Sequence, residues 1–352
     1  MTDQRRVVAG VDAHTDEHHV AVLDGQGRLL ATAAFPTDAA GYESLIRWLR
    51  LHGRIDRVGV ESTGAYAAGL ARALLADGID VVEVNQPHPH ARQRLGKSDP
   101  IDAELAARAV LSGTARALPK LTSGIVEAIR QLAVARSGAL KARTAALQQL
   151  DDLLITAPEQ LRAELRRART LKARAALCLQ LRPNAARLHE PLQAAKLALR
   201  SLARRVHALD QELVELDSQL ERLVASAAPR TVALFGVGTQ CAGQLLISAG
   251  QNIERLHSEA AFAKLCAAAP IQASSGRTTR HRLDYGGDRQ ANRALHMIAV
   301  CRLRHDPRTR AYADRRRSEG LNRREILRCL KRYIARQTYH SLRADLEALN
   351  ST

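Results

Sequence analysis

Short apolar runs broken by turn-forming residues dominate the first third of the chain. The runs at 7–14, 18–24 and 29–36 read as three strands, with Asp-Gly-Gln-Gly forming the second turn. Strands this closely spaced join as an antiparallel meander, because a parallel crossover needs a dozen or more connecting residues. Helical spacing then takes over at 42–51 (Leu45, Ile46, Trp48, Leu49) and stops at Gly53. A strand at 57–61, a helix at 66–76, a strand at 80–84 and a helix over 99–111 complete the stretch. Three antiparallel strands followed by helix–strand–helix–strand–helix is the element order of a ribonuclease-H-like fold.

From 121 to 228 the pattern becomes Ala/Leu-rich and helical. Leu192, Leu199, Leu202, Val206, Leu209, Leu213, Leu216, Leu220 and Leu223 follow one another at alternating steps of four and three after Leu199. That 3.5-residue period is a coiled-coil signal. An earlier seam, Leu140, Leu147 and Leu154, is interrupted by Arg143. Two readings follow: an intramolecular helical hairpin that folds the two segments together, or a rod through which two copies dimerise. Residues 229–352 form a third, mostly helical unit. The expected architecture is therefore α/β plus all-α, divided at 1–118, 119–228 and 229–352.

Charge alters this picture more than composition does. The chain of 352 residues carries a formal net charge of +17, and 277–343 alone holds 19 Arg/Lys against 6 Asp/Glu. A concentrated basic segment is what phosphate binding requires, since released counterions drive affinity. Aromatic residues make up only 3%, which argues against a single-strand reader built on base stacking and for contacts to duplex backbones or structured RNA. In the 322–336 helix, Ile326, Leu327, Leu330, Tyr333 and Ile334 fall on one face, while Arg323, Arg324, Arg328, Lys331, Arg332 and Arg336 supply the other. The five cysteines show no CxxC spacing, so zinc or a disulfide framework is not expected. With no signal peptide and no apolar run near 18 residues, a soluble cytoplasmic protein is expected, nucleoid-associated when bound to DNA.

Candidate chemistry rests first on four carboxylates. Asp12 and Glu61 each end an apolar run that contains no nearby basic partner. An acid at such a place is costly unless something pairs with it, and several converging oxygens suit Mg²⁺. Asp99 and Asp102 open the 99–111 helix three residues apart, on one face. Capping by Asp99 ahead of Pro100 is the plainer account of that pair; beside Asp12 and Glu61, ligation is favoured. Glu104 is expected to face solvent. A Gly-x-Gly turn at 236–238 offers backbone N–H groups to a phosphate, although an ordinary helix–helix turn fits equally. Finally, Ser274 and Ser275 precede Gly276, with Arg277, Arg280, His281 and Arg282 following; a serine needs activation, and neighbouring guanidiniums could neutralise a phosphate under attack.

Together, Gly-Val-Asp-Ala-His, Val-Glu-Ser-Thr-Gly, Lys-Ser-Asp-Pro-Ile-Asp-Ala, Ala-Pro-Ile-Gln-Ala-Ser-Ser-Gly and Gly-Gly-Asp-Arg-Gln-Ala-Asn-Arg-Ala-Leu resemble, in order, the IS110 family of insertion-sequence transposases. These are bridge-RNA-guided DEDD recombinases. The resemblance implies a RuvC-like N-terminal domain with its DEDD set on Asp12, Glu61, Asp99 and Asp102, a coiled-coil insert, and a C-terminal transposase domain with its serine nucleophile on Ser275. It also implies Mg²⁺, double-stranded DNA at element ends and target, a structured noncoding guide RNA, and a homodimer or homotetramer. Arg277, Arg280 and Arg282, with Arg323, Arg324, Arg328, Lys331 and Arg332, are the expected nucleic-acid contacts. One departure stands out: the family's first motif usually carries a lysine near the aspartate, where this chain has His14-Thr15. Two other readings compete, a junction endonuclease that uses water and a non-catalytic scaffold.

Overall fold

A computed structural model describes residues 5–84, 98–276 and 280–351. The chain is mixed α/β, with a sheet near its N-terminus and helices over most of the remainder, and it divides into two compact units. One unit comprises 1–127 and 245–352, and the other 128–244.

Five strands build the N-terminal sheet: β1 (Arg6–Ala13), β2 (Glu17–Asp24), β3 (Leu29–Pro36), β4 (Arg54–Glu61) and β5 (Val81–Val84), in the order β3-β2-β1-β4-β5. The first three run antiparallel, as the short connections demand, whereas β4 and β5 are parallel to β1. Helices α1 (Ala39–Leu51) and α2 (Ala68–Ala76) cover one face. There Val7, Ala9, Val11, Val58 and Val60 pack with Leu45, Leu49, Leu70 and Leu74. Helix α3 (Asp99–Leu111) covers the other face, where Ala106, Ala107 and Val110 meet Val8, Leu23, Val82 and Val84.

Two glycines let α3 lie against the sheet. A Cβ at Gly10 would stand 2.2 Å from both the Ala103 carbonyl oxygen and the Ala107 nitrogen. At Gly59 it would meet a Val110 methyl at 2.5 Å and the Ala106 oxygen at 3.0 Å. Because β1 and β4 pair Gly10 with Gly59, the two gaps form one groove for the helix backbone. Its N-terminal turn therefore comes to rest over the strand ends that carry acids.

In the second unit, α4 (Gly124–Thr156) and α7 (Pro191–Ala227) are the long helices, with α5 (Glu159–Arg166) and α6 (Leu171–Leu179) between them. Ion pairs Arg136–Asp217 and Arg143–Asp210 fix α4 and α7 antiparallel. Arg143, which breaks the apolar seam in sequence, thus pairs across the hairpin. Of the heptad residues, Leu199, Val206, Leu213 and Leu220 are buried within the chain, and Leu202, Leu209, Leu216 and Leu223 are half-buried. A short helix α8 (Pro229–Val232) follows, and a turn with Gly236 at φ +77° leads into α9 (Thr239–Ala249).

The C-terminal stretch contains α10 (Glu259–Leu265), the hairpin strands β6 (Ile271–Gln272) and β7 (His281–Arg282), and helices α11 (Arg289–His305), α12 (Pro307–Ser318) and α13 (Arg323–Asn350). A capping box between Asn322 and Glu325 starts α13. Asn252 ties this stretch back to the N-terminal segment, accepting from Leu121 N (3.2 Å) and donating to the Pro119 carbonyl (3.0 Å). No helix among the described residues is long and apolar enough to cross a membrane.

Candidate metal centre and basic cavity

Asp12 occupies the last turn of the pleat of β1 that faces α3, and Glu61 ends β4 on the same face. The register places Val11 opposite Val60, so the next pair outwards brings Asp12 and Glu61 to adjoining strand ends. On the other side Asp12 pairs with His19 of β2. From above, the first turn of α3 contributes Asp99, half-exposed, and Asp102, 2% exposed.

The closest convergence is between Asp12, His14 and Asp99. His14 Nε2 lies 3.1 Å from Asp12 Oδ2 and 3.4 Å from Asp99 Oδ1. His19 Nε2 reaches Asp99 Oδ2 at 3.5 Å and Glu17 Oε1 at 3.0 Å. Burial pushes the Asp12 carboxyl above the usual aspartate range; the His14 contact opposes this, and the charges of Asp102 and Asp99 add to it. Crowded like charges of this kind are what a divalent cation relieves. The donor set therefore fits Mg²⁺ or a related ion.

Three local features differ from the sequence expectations. Ser98, rather than Asp99, is the N-cap of α3, so Asp99 lies inside the first turn and its carboxylate points towards the histidines. Glu104 is half-buried and pairs with Arg108 at 2.6 Å instead of facing solvent alone. The two histidines were not anticipated as members of the cluster. His19 was within reach of sequence reasoning, since counting back across the short β1–β2 turn sets it opposite Asp12. Ser62, next to Glu61, holds φ +55°, a left-handed backbone that costs a non-glycine residue about 1 kcal/mol or more and tends to cluster at functional sites.

Ser275 lies on a separate element, exposed in the hairpin between β6 and β7, and so does Ser274. Arg277 falls outside the described residues. Beneath the hairpin is a cavity of about 800 Å³ lined by Arg280, Arg282, Arg315, Arg316, Arg328 and Arg332, among others. Arg323 and Arg324 are exposed at the start of α13. Arg328 and Arg332 are drawn to Glu325 (3.9 Å) and Glu259 (3.2 Å).

Two residues of α13 depart from the expected faces. Lys331 is 7% exposed, with Nζ donating to Asn292 Oδ1 at 2.8 Å, so it lines the floor of the cavity and does not stand free on an open basic surface. Tyr333, assigned to the apolar face, is 57% exposed and meets Tyr312 edge-on at the cavity wall. Asn292 explains the lysine's position. Its amide donates to the carbonyls of Cys266 (3.0 Å) and Ala267 (2.7 Å), and Ala267 is held at φ +50°. Gly287 allows the same close approach, since a Cβ there would stand 2.5 Å from Ala267 N. Asp288 then caps α11 and accepts from the Ser248 hydroxyl at 2.6 Å. The Gly-Gly-Asp-Arg-Gln-Ala-Asn run thus anchors a strained bend under the basic cavity.

An acid-and-histidine cluster over a mixed sheet, in a chain with a strongly basic cavity, places this chain among mixed α/β proteins with a candidate cation site and a candidate anion site. Sequence comparison makes the class specific. A family model for DEDD transposases of the IS110 type, described as "Transposase", matches residues 9–157, and a second, "Transposase IS116/IS110/IS902 family", matches 232–314. The mini-circle putative transposase for IS117 of Streptomyces coelicolor is 32% identical over 43% of this chain and 38% of its own length. An uncharacterized 42 kDa protein of insertion element IS900 from Mycobacterium paratuberculosis is 28% identical over 44% of this chain and 40% of its own. A 43.6 kDa uncharacterized protein of IS110 from S. coelicolor is 32% identical over 34% and 30%. The matched stretches thus span about two fifths or less of these relatives. The chain belongs to the IS110 family of transposases.

Proposed function

We propose that the chain is a divalent-metal-dependent, RNA-guided DNA recombinase that excises and inserts a mobile element through a covalent seryl–DNA intermediate. The observation that carries this reading is the convergence of Asp12 and Asp99 at a strand end and a helix start, with Asp102 close enough for its charge to act on Asp12. The sheet order, with acids at the ends of β1 and β4 and at the start of α3, supports a ribonuclease-H-like, specifically RuvC-like, N-terminal domain within the 1–118, 119–228 and 229–352 organisation.

In this reading Asp12, Glu61, Asp99 and Asp102 hold the ion, expected to be Mg²⁺. When bound, it supplies Lewis-acid polarisation of the scissile phosphate and orients the substrate. The Ser275 hydroxyl oxygen attacks phosphorus; a P–O bond to serine forms, the bond to the 3′ oxygen breaks, and a free 3′ hydroxyl leaves. Reversal on a partner strand, with that strand's 3′ hydroxyl attacking the seryl ester, rejoins DNA without an external energy source. Arg280 and Arg282, flanking the hairpin, neutralise the phosphate, and Arg323, Arg324, Arg328 and Arg332 contact backbone nearby. By the family resemblance, a homodimer or homotetramer lets one subunit's acids serve another's serine. Sequence choice falls to a structured guide RNA, in keeping with a basic, aromatic-poor protein.

The test is a denaturing gel of protein, guide RNA and end-labelled duplex. A protein–DNA adduct that disappears with Ser275→Ala and with Asp12→Asn is expected. Free 5′-phosphate ends produced undiminished by Ser275→Ala would instead establish a junction endonuclease that uses water.

A further inference from the structure

We propose that His14 is itself a metal ligand, so that the site, which accepts Mg²⁺, also binds an ion through imidazole nitrogen as well as carboxylate oxygen and gains affinity for a first-row transition ion such as Mn²⁺. The inference rests on reading the carboxylate cluster as a metal centre, and it adds to that reading the chemistry of the ion.

Geometry carries it. Neighbouring donors around an octahedral ion with bonds near 2.1 Å are about 3.0 Å apart. His14 Nε2 is hydrogen-bonded to Asp12 Oδ2 at 3.1 Å and lies 3.4 Å from Asp99 Oδ1, spacings that adjacent ligands of one ion also have, so the deprotonated nitrogen can take up a ligand position beside both carboxylates with little movement. Each of the three residues offers a donor atom, and these atoms lie within 4.8 Å of one another. His14 is held there by the chain: it directly follows β1, two residues after Asp12, and its backbone nitrogen donates to the Glu17 carbonyl at 3.3 Å across the turn. Half of its side chain is exposed, so the ring can turn towards an entering ion without repacking a core. His19 is engaged by Glu17 and Asp99 and sits behind it.

Ligand chemistry gives the preference. Mg²⁺ favours oxygen donors and retains its waters, whereas imidazole binds first-row transition ions well. A nitrogen at this position therefore strengthens Mn²⁺ binding and does little for Mg²⁺.

The experiment is pulsed electron paramagnetic resonance of the full chain loaded with one equivalent of Mn²⁺, read beside calorimetric titrations with Mn²⁺ and Mg²⁺. Wild type is expected to show nitrogen modulation of the Mn²⁺ signal. His14→Gln removes that modulation and weakens Mn²⁺ binding about tenfold or more, the scale at which metal sites respond to lost supporting groups. It leaves Mg²⁺ affinity within a factor of two and the far-ultraviolet circular dichroism unchanged. Bound Mn²⁺ without nitrogen modulation, or modulation that survives His14→Gln and vanishes with His19→Gln, overturns the assignment while leaving a metal centre in place. Failure of either ion to bind wild type better than Asp12→Asn overturns the metal centre itself.

Discussion

At the scale of single residues, Asp12 is stabilised by little besides His14. Its carboxyl is raised by burial, so ionisation at neutral pH costs folding energy. A folded-state pKa above the unfolded one means this group favours the fold below the ordinary aspartate range, near pH 4, and that contribution is lost as pH rises through the folded value. Asp12→Asn is therefore expected to raise the metal-free melting temperature at pH 7 by roughly a few degrees while abolishing strand cleavage. Thermal scans at pH 7 and pH 3 check the sign, since the gain should shrink in acid. A fall in stability at pH 7 would show that the His14 pair outweighs desolvation. Asp288 illustrates the opposite case, an acid used as a cap. Asp288→Ala loses the bonds to Gln290 N and Ala291 N and is expected to cost about 1–2 kcal/mol in denaturant titrations.

Among elements, α3 decides whether the acids meet. Gly10→Ala changes no candidate ligand, yet its methyl would strike the α3 backbone. The expected result is a loss of about 1–3 kcal/mol or more together with weakened Mn²⁺ binding, measured by denaturation and calorimetry. Unchanged affinity would show that Asp99 and Asp102 are dispensable to the centre. In the hairpin of α4 and α7, Leu150 is fully buried. Leu150→Ala should cost about 2–5 kcal/mol. The strand and helix assignments of the first third were legible because short connections and alternating apolar positions leave few topologies open. The heptad seam was equally plain, but its partner was not. A 3.5-residue period says that a helix packs against another, and the Arg136–Asp217 and Arg143–Asp210 pairs, with the apolar cluster that Leu150 and Leu154 share with Leu199 and Val206, show a partner in the same chain.

For the whole molecule, the surplus of positive charge between 277 and 343 sets the expectation for nucleic acid. Binding to duplex DNA or to structured RNA should weaken steeply with salt, and the slope of log affinity against log salt should drop by about one for each of Arg280→Ala and Arg282→Ala if each engages a phosphate. A slope unaffected by both would remove the hairpin from the interface. Lys331→Met should leave that slope alone, since Lys331 Nζ is committed to Asn292.

What the sequence determined by itself was local and periodic: which stretches are strands or helices, where carboxylates cap apolar runs, and where positive charge accumulates. These follow from steric and solvation rules that act over a few residues. Tertiary structure decided the rest. A pair of glycines let a helix backbone lower Asp99 onto His14, and Asn292 drew Lys331 out of the solvent that its charge would otherwise seek. Each of those outcomes depends on which distant surfaces come into contact, and one-dimensional spacing contains no record of that.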